Sequence, residues 1–539
     1  MALELLIGCV FHLEAAMTCS IQRVIGRCVL CVLVSAGFAG CGSNNPAPGP
    51  DAASASDSHF APAPDVSSDR SVPEAISTDS APDVTSNDAP VAQDLALDAV
   101  MPADGMADPD AAKPDASAAD VSAASDAVVI SGDASGPDLA TALSSLQRIV
   151  DPQVPAADST TLASDNAAFA FDAYKQLIAT NTNLVFSPAS ISIALAMTYA
   201  GAAGTTASEM AKALHFSLPP AQLHPAFNAL DQTLVSRGQG KLGADGGPMR
   251  LHIVNAIWAE QTYTFKLAFL DTLAANYGAG MNLLDFINAP DPSRLTINAW
   301  VAEQTENKIQ DLLPAGSIDS STRLVLTNAV YFNAAWNVPF DPNDTQNGSF
   351  TLLDNSSATV QFMNATLPSM PATQGTNFVA ASLPYADNNL SLLVVLPDAG
   401  KFSQVESSLD ASTLATLAAG LTSQKVRLAL PRFKLNTGTS MGKLLQTLGM
   451  TSAFSPGAAD FSGMDGTRSL YISEVIHKAF IDVAEKGTEA AAATGVVMSG
   501  SAAPSGLLVN ANRPFLYFLR DQPTGAILFM GRVLDPSKN

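Results

Sequence analysis

The alternation of apolar and polar residues divides this chain of 539 residues into two parts. Between residues 42 and 150, Asp, Ala, Ser, Pro and Val follow one another with neither a helical nor a strand period, and aromatic residues are scarce. Such a segment cannot bury enough apolar surface to offset its conformational entropy. The pattern therefore predicts a disordered acidic tether over residues 42–150 and a folded domain over residues 160–536.

Helical and strand patterns alternate in the second part. An amphipathic helix is predicted over residues 159–178, a strand at Leu184–Phe186, and a buried helix over the almost wholly apolar Ile191–Ala200. Thr206 and Glu209 have the spacing of a capping box at the start of the next helix. Because no βαβ repeat emerges, the pattern favours an α+β fold. Further strands are predicted at Leu324–Phe332, Phe378–Leu383, Leu390–Leu396, Val426–Leu430, Ala479–Val483 and Ala526–Val533.

Charge and cysteine placement exclude several kinds of partner. The tether carries well over half of the net charge of −23, and no block of Lys and Arg occurs, so neither nucleic acid nor an anionic membrane surface is expected as a partner. All five cysteines lie within the first 41 residues, and the six histidines are scattered. We therefore expect no disulfide, no metal site and no cofactor in the folded domain.

The first 41 residues have the composition of an export signal. Arg23 and Arg27 precede the apolar run Cys28–Ala36, which is short for a membrane-spanning helix. Residues 38–41, Phe-Ala-Gly-Cys, resemble the lipobox of bacterial lipoproteins, in which Cys41 would receive the lipid. An ordinary signal cleaved between residues 36 and 39 is the alternative.

Two acidic residues upstream, Glu4 and Glu14, do not suit a signal, so Met17 is a candidate for the true start. The expected location is extracellular or at the cell surface, as an outer-membrane lipoprotein. In that case a lipid on Cys41 would be the only contact with the membrane.

A possible hydrolase motif occurs at residues 438–442, Gly-Thr-Ser-Met-Gly, between a predicted strand and a predicted helix. The only histidine downstream of Ser440 is His477, which leaves little room for the rest of such a fold. We therefore expect that the protein is not an enzyme.

Four segments stand out in order along the domain: residues 183–191, residues 326–336, residues 475–491 and residues 512–536. Together they resemble the serpins, a family of serine-protease inhibitors. The resemblance implies the serpin fold, with three mixed β-sheets, about nine α-helices and an exposed reactive-centre loop. It also implies a secreted monomer whose partner is a serine protease, held in a covalent acyl complex.

The segment after Gly487 is unusual in its own right, because it alternates and is rich in alanine. If it became a strand, Thr488, Ala490, Ala492 and Thr494 would share one face, and Glu489, Ala491 and Ala493 the other. Small side chains would let it enter between two existing strands without overpacking them, and Gly487 would act as the hinge.

For an inhibitor, the resemblance implies that a protease cuts the loop, which then inserts into the main sheet and drags the acylated protease with it. The resemblance also places the cut about thirteen residues beyond Thr488, at Ser501-Ala502, with Met498 and Ala503 as alternatives. The small residues there favour an elastase-like or subtilisin-like protease. The loop hinge comprises Glu485, Gly487, Thr488, Glu489, Ala490, Ala491, Ala492 and Ala493.

The resemblance also assigns structural roles below and beside this loop. Ser187, Ser190, Asn328 and His477 would form a buried hydrogen-bonded cluster, here called the shutter cluster. Trp336 would pack at the top of the sheet, and Arg432 would either pair with Glu485 or remain a solvated charge. Two other functions stay open: a non-inhibitory surface binding or carrier module, and an inhibitor of cysteine proteases.

Overall fold

The computed structural model describes residues 129–130, 139–489 and 505–538, and within them the chain forms ten α-helices, two 3₁₀ helices and seventeen strands. This is the α+β architecture predicted from the sequence. The helices are α1 Ala156–Leu177, α2 Pro188–Tyr199, α3 Gly204–Ala213, α4 Pro220–Ser236, α5 Leu267–Tyr277, α6 Pro290–Gln304, α7 Phe402–Ser408, α8 Ala411–Ala419, α9 Gly442–Thr447 and α10 Ser462–Asp465; the 3₁₀ helices are Pro342–Asp344 and Ser452–Phe454. The strands are β1 Val129–Ile130, β2 Ala140–Leu143, β3 Leu184–Phe186, β4 Arg250–Glu260, β5 Met281–Leu284, β6 Leu324–Ala335, β7 Gln346–Thr351, β8 Ser357–Gly375, β9 Phe378–Pro384, β10 Leu390–Pro397, β11 Thr422–Pro431, β12 Phe433–Ser440, β13 Ile472–Ala484, β14 Gly487–Thr488, β15 Leu507–Asn510, β16 Phe515–Asp521 and β17 Ile527–Val533.

Eight strands form the central sheet, in the order β1-β2-β5-β4-β6-β14-β13-β12. β6 runs antiparallel to β4 but parallel to β13, so the middle of the sheet is mixed. Nearly every residue of β6 is buried, because both faces of the strand are covered.

The two faces of the central sheet belong to different cores. Leu326 and Val330 of β6 pack into the main core, together with Val475 and Ala479 of β13. The intervening side chains, such as Ala329 and Phe480, pack on the opposite face in a smaller core with Ile297 and Val301 of α6. The main core also takes up α2, which is buried on all sides and begins with a proline in its first turn.

A second path of hydrogen-bonded strands runs β15-β11-β8-β9-β10-β16-β17-β3, with β7 paired to β8. The nineteen-residue strand β8 makes this continuity, since it pairs with β11 along most of its length and with β9 near its end. The C-terminal hairpin β16–β17 lies inside this path, and its residues are almost all buried.

The folded part begins before residue 150, where the composition had placed the end of the tether. β2 adds antiparallel to β5 at the edge of the central sheet. The Arg148 guanidinium pairs with Asp231 at 2.7 Å, and the Ile149 carbonyl accepts hydrogen bonds from Asn228 and Gln232 of α4. Backbone pairing and these polar contacts order residues 139–150. The pattern of hydrophobic residues cannot reveal order of this kind, because the contacts are not hydrophobic.

One predicted helix start is also corrected. α3 begins at Gly204, and its N-cap residue Ala203 has no capping side chain. The Thr206 hydroxyl instead accepts from the backbone N–H of Asp460, and Glu209 accepts from the N–H groups of Thr451 and Ser452. The two side chains of the supposed capping box therefore serve tertiary contacts.

Among the residues that the structure describes, no helix is both long and apolar enough to cross a membrane. The export signal and Cys41 lie outside those residues.

Candidate functional site

The site is a two-residue strand that enters the top of the central sheet. β14, Gly487–Thr488, lies between β6 and β13 and pairs antiparallel with both: Thr488 is opposite Ala334 and Val483. Lower down, β6 and β13 pair directly with each other, from Leu324–Ile472 to Val330–Ala479. The sheet is thus open at its top and closed below, with the start of the reactive loop in the opening.

Gly487 fits this position because the neighbouring strand approaches very closely. A Cβ atom there would lie 2.0 Å from the carbonyl oxygen of Ala334, which no side chain could tolerate. Packing against β6 therefore requires a glycine at position 487, the residue expected to act as the hinge.

Thr488 is completely buried, and its hydroxyl lies 2.7 Å from the hydroxyl of Tyr385. The Tyr385 ring stacks on Trp336, with 4.5 Å between the ring centroids. The Trp336 indole N–H donates to the carbonyl of Ala484 at 2.8 Å. Trp336 thus binds the strand that leads to the loop and reaches the inserted Thr488 only through the Tyr385 ring.

Glu485 lies just before the inserted pair, and its carboxylate accepts from the Arg432 Nε at 2.7 Å and from the Thr345 hydroxyl at 2.6 Å. The structure therefore brings Arg432 and Glu485 together as an ion pair, in which the Glu485 side chain is buried and that of Arg432 stays 41% exposed. Burial raises the pKa of Glu485, but the hydrogen bonds from Arg432 and Thr345 outweigh it and leave the pKa below its ordinary value.

Glu489 lies at the tip of the inserted segment, with a left-handed backbone φ of 61°. Its N–H donates to the carbonyl of Asp482 at 2.5 Å, and its carboxylate forms an ion pair with Lys308, in the loop after α6. Sequence reasoning did not find Lys308, because a single lysine in a polar loop carries no sign of a partner so distant in the chain.

The shutter cluster assembles beneath the opening, on the main-core face of the sheet. His477 Nδ1 donates to the Asn328 side-chain oxygen, and Nε2 accepts from the backbone N–H of Ser187 at 3.1 Å. Asn328 in turn donates to Ser190. These roles fit only a neutral imidazole, and burial lowers the pKa of His477 to about 3.

Sequence reasoning missed one member of this cluster, Asn255 of β4. Its side-chain oxygen accepts from Asn328 and, at 3.2 Å, from the Ser190 hydroxyl. The register that places Asn255 directly opposite Asn328 could have pointed to it, but strand register is not readable from this sequence alone.

The hydrolase motif has no suitable base in the described residues. The Ser440 hydroxyl donates to the Glu474 carboxylate at 2.7 Å, whereas both nitrogens of His477 are engaged in the shutter cluster. A serine nucleophile needs an imidazole within hydrogen-bonding reach. The contacts of Ser440 therefore give no support to hydrolysis at this motif.

Several predicted site residues lie outside the described residues. They are the hinge residues Ala490, Ala491, Ala492 and Ala493 and the cleavage candidates Met498, Ser501, Ala502 and Ala503. Their assignments stay predictions.

Comparison with known proteins agrees with this architecture. The family model described as "Serpin (serine protease inhibitor)" matches residues 164–536. The leukocyte elastase inhibitor of Bos taurus is 38% identical over 386 residues, which cover 70% of this chain and 99% of that protein. An uncharacterised serpin-like protein of Thermococcus kodakarensis is 37% identical over 372 residues, 68% of this chain and 84% of that protein.

Solved structures agree as well. The thermophilic serpin tengpin in its native state superposes with a TM-score of 0.65 at 29% identity, over 72% of this chain and 97% of tengpin. Uncleaved ovalbumin gives a TM-score of 0.62 at 26% identity, over 70% of this chain and all of ovalbumin. The order of strands, the inserted hinge and these matches together place the chain in the serpin family.

Proposed function

We propose that this serpin is a suicide-substrate inhibitor of serine endopeptidases, in which the cleaved reactive loop becomes a new strand of the central sheet. Inhibition then needs a loop that can enter the sheet faster than the acylated protease can deacylate. The observation that carries the proposal is the position of Gly487 and Thr488, which already occupy the first two places of such a strand.

The register of this pair supports the rest of the path. Six residues beyond Thr488 the loop has Thr494, while six residues before Ala334 and Val483 lie Asn328 and His477. Thr494 would share a face with Thr488, toward the main core, where the shutter cluster lies. Its hydroxyl would then meet the polar groups that need partners once β6 and β13 separate.

The residues on the loop suit this path in size. From Ala490 to Ala493 the loop offers only methyl side chains to neighbours that are already packed. The inserted strand would run antiparallel to both β6 and β13, which now pair parallel with each other. Antiparallel pairing is slightly more stable per residue, so insertion adds hydrogen bonds and improves the pairing type.

The same register favours the predicted cut. Met498 would lie opposite Leu324, the first residue of β6, so Ser501 and Ala502 would fall just beyond the end of the sheet. A small residue before the cut suits an elastase-like or subtilisin-like protease. The relatives called leukocyte elastase inhibitor make the elastase class the first choice.

Incubation of the full chain with an elastase-like and a subtilisin-like serine protease tests the proposal. We expect a complex that survives hot detergent, a cut at Ser501-Ala502 by mass spectrometry, and about one protein consumed per protease. Loop cleavage with full residual protease activity would contradict it and favour a non-inhibitory binding module. A stable complex with a cysteine protease alone would instead show the other class of target.

We also propose that the domain acts outside the cell, attached through a lipid on Cys41. The residues around Cys41 and the acidic segment after it support this, because that segment would hold the domain away from the membrane. Labelling of the wild type, and not of Cys41→Ser, by an alkyne fatty acid in a bacterial host is the expected result. Equal labelling of the two, or none, would contradict lipidation.

A further inference from the structure

The strained residue Glu489 marks the point at which the reactive loop leaves the sheet. A left-handed conformation costs a residue other than glycine about 1–2 kcal/mol. Glu489 holds φ 61° while its N–H still donates to Asp482, as the next residue of an inserted strand would. The strain turns the chain out of the sheet after two inserted residues, so some contact must stabilise it.

Lys308 supplies that contact. Its ammonium pairs with the Glu489 carboxylate, which is only 14% exposed, against 39% for the Lys308 side chain. Lys308 Nζ also lies 6.0 Å from the centre of the Tyr331 ring of β6, within cation–π range. The described contacts of the Glu489 carboxylate therefore centre on Lys308, which packs beside the Tyr331 ring.

Further insertion would change the surroundings of Glu489. As an extended strand residue it would lie directly opposite Asp482 of β13, by the register of the inserted pair. Like charges directly opposite in a sheet are destabilising. Burial raises the pKa of Asp482 and repulsion from Glu489 adds to the rise, while Lys434 and Lys308 lower it. Glu489 therefore relies on Lys308 in the present state, and an extended strand would hold its carboxylate opposite that of Asp482.

We propose that Lys308 is a positioning residue that latches Glu489, holds the reactive loop at two inserted residues, and so limits the rate of insertion. This inference rests on the proposed function, because it assumes that the cut loop inserts. The ion pair acts on the loop before any protease is displaced. It joins the hinge to the loop after α6, on the face of the central sheet that packs against α6.

The test measures insertion without depending on inhibition. The full chain is cut in the reactive loop by a metalloprotease, which forms no acyl enzyme, and pulsed hydrogen exchange then follows protection of residues 490–500 over time. The variants are Lys308→Met, Lys308→Arg, Glu489→Gln and the Lys308→Met/Glu489→Gln double variant. The matched control is Lys478→Met, because the Lys478 ammonium also binds the loop after α6, at the Gln310 carbonyl, but lies outside the latch.

We expect Lys308→Met to speed insertion about threefold to tenfold, as a partly buried ion pair allows, while Lys308→Arg and Lys478→Met keep the wild-type rate. The double variant should be no faster than the faster single variant, since both remove one contact. A Lys308→Met rate equal to that of Lys478→Met, or independent effects in the double variant, would overturn the latch. Cutting of the wild type without any protection of residues 490–500 would instead refute the proposed function, and with it the basis of the latch.

Discussion

Replacing Thr488 by arginine should convert the protein from an inhibitor into a substrate. Thr488 is fully buried between β6 and β13, and its hydroxyl is bonded to that of Tyr385, which is itself fully buried. The substitution removes this hydrogen bond and places a cation in a fully buried position on the main-core side of the sheet.

The magnitude follows from two costs. Leaving the Tyr385 hydroxyl unpaired costs about 1–3 kcal/mol. Burying an unpaired charge costs several kcal/mol after relaxation, so the arginine would stay outside and the first pairs of the new strand would be lost. Even about 3 kcal/mol corresponds to more than a hundredfold in the insertion equilibrium, enough to let deacylation overtake insertion.

The assay is titration of the protease with each variant, read as residual activity and as detergent-stable complex. Thr488→Ser is the matched control, since it keeps the hydroxyl that bonds to Tyr385, loses only a methyl group and should still trap most of the protease. We expect Thr488→Arg to be cut at the loop and released, with the protease fully active. Retention of wild-type trapping by Thr488→Arg would refute the reasoning, because insertion would not need this site.

Three further predictions concern the cluster and the ion pair. Glu485→Gln should lower the midpoint of thermal unfolding by about 2–4 °C at pH 7. Because the pKa of Glu485 is depressed in the fold, this difference from wild type should vanish as the pH falls from about 4.5 through that lower pKa. A difference in midpoint that does not depend on pH would contradict the prediction. In the fold, His477 stays neutral down to a pKa of about 3, whereas the unfolded chain takes up this proton near pH 6.5. The free energy of unfolding of wild type should therefore fall by up to about 1.4 kcal/mol per pH unit as the pH is lowered between these values. In urea unfolding, the pH dependence of His477→Gln should correspond to the uptake of about one proton less. Asn255→Ala should cost about 1–3 kcal/mol in urea unfolding, because Asn328 and Ser190 lose their shared acceptor, and an unchanged midpoint would argue against a cooperative shutter cluster.

Sequence reasoning reached most of the fold because the strong patterns are local. The buried helix α2, the buried strand β6 and the C-terminal hairpin carry strong local patterns, and the structure places them where those patterns indicate. Alternation also placed Thr488 and Glu489 on opposite faces of a strand, and the structure buries Thr488 completely.

What the sequence could not supply depends on register and on polar contacts across the fold. The pairing of Lys308 with Glu489 and the acceptor role of Asn255 join elements that are distant in the chain. Order in residues 139–150 comes from edge pairing with β5 and from Arg148. The number of loop residues inserted depends on the relative free energies of states with more or fewer inserted residues, which no local sequence pattern encodes.

The most direct test of the account is a crystal structure of the protein after the reactive loop has been cut. We expect the loop to be a full strand of the central sheet, with Thr494 between Asn328 and His477 and with β6 and β13 no longer paired to each other. A cut loop outside the sheet, with Ile472–Ala479 still paired to Leu324–Val330, would contradict the central claim.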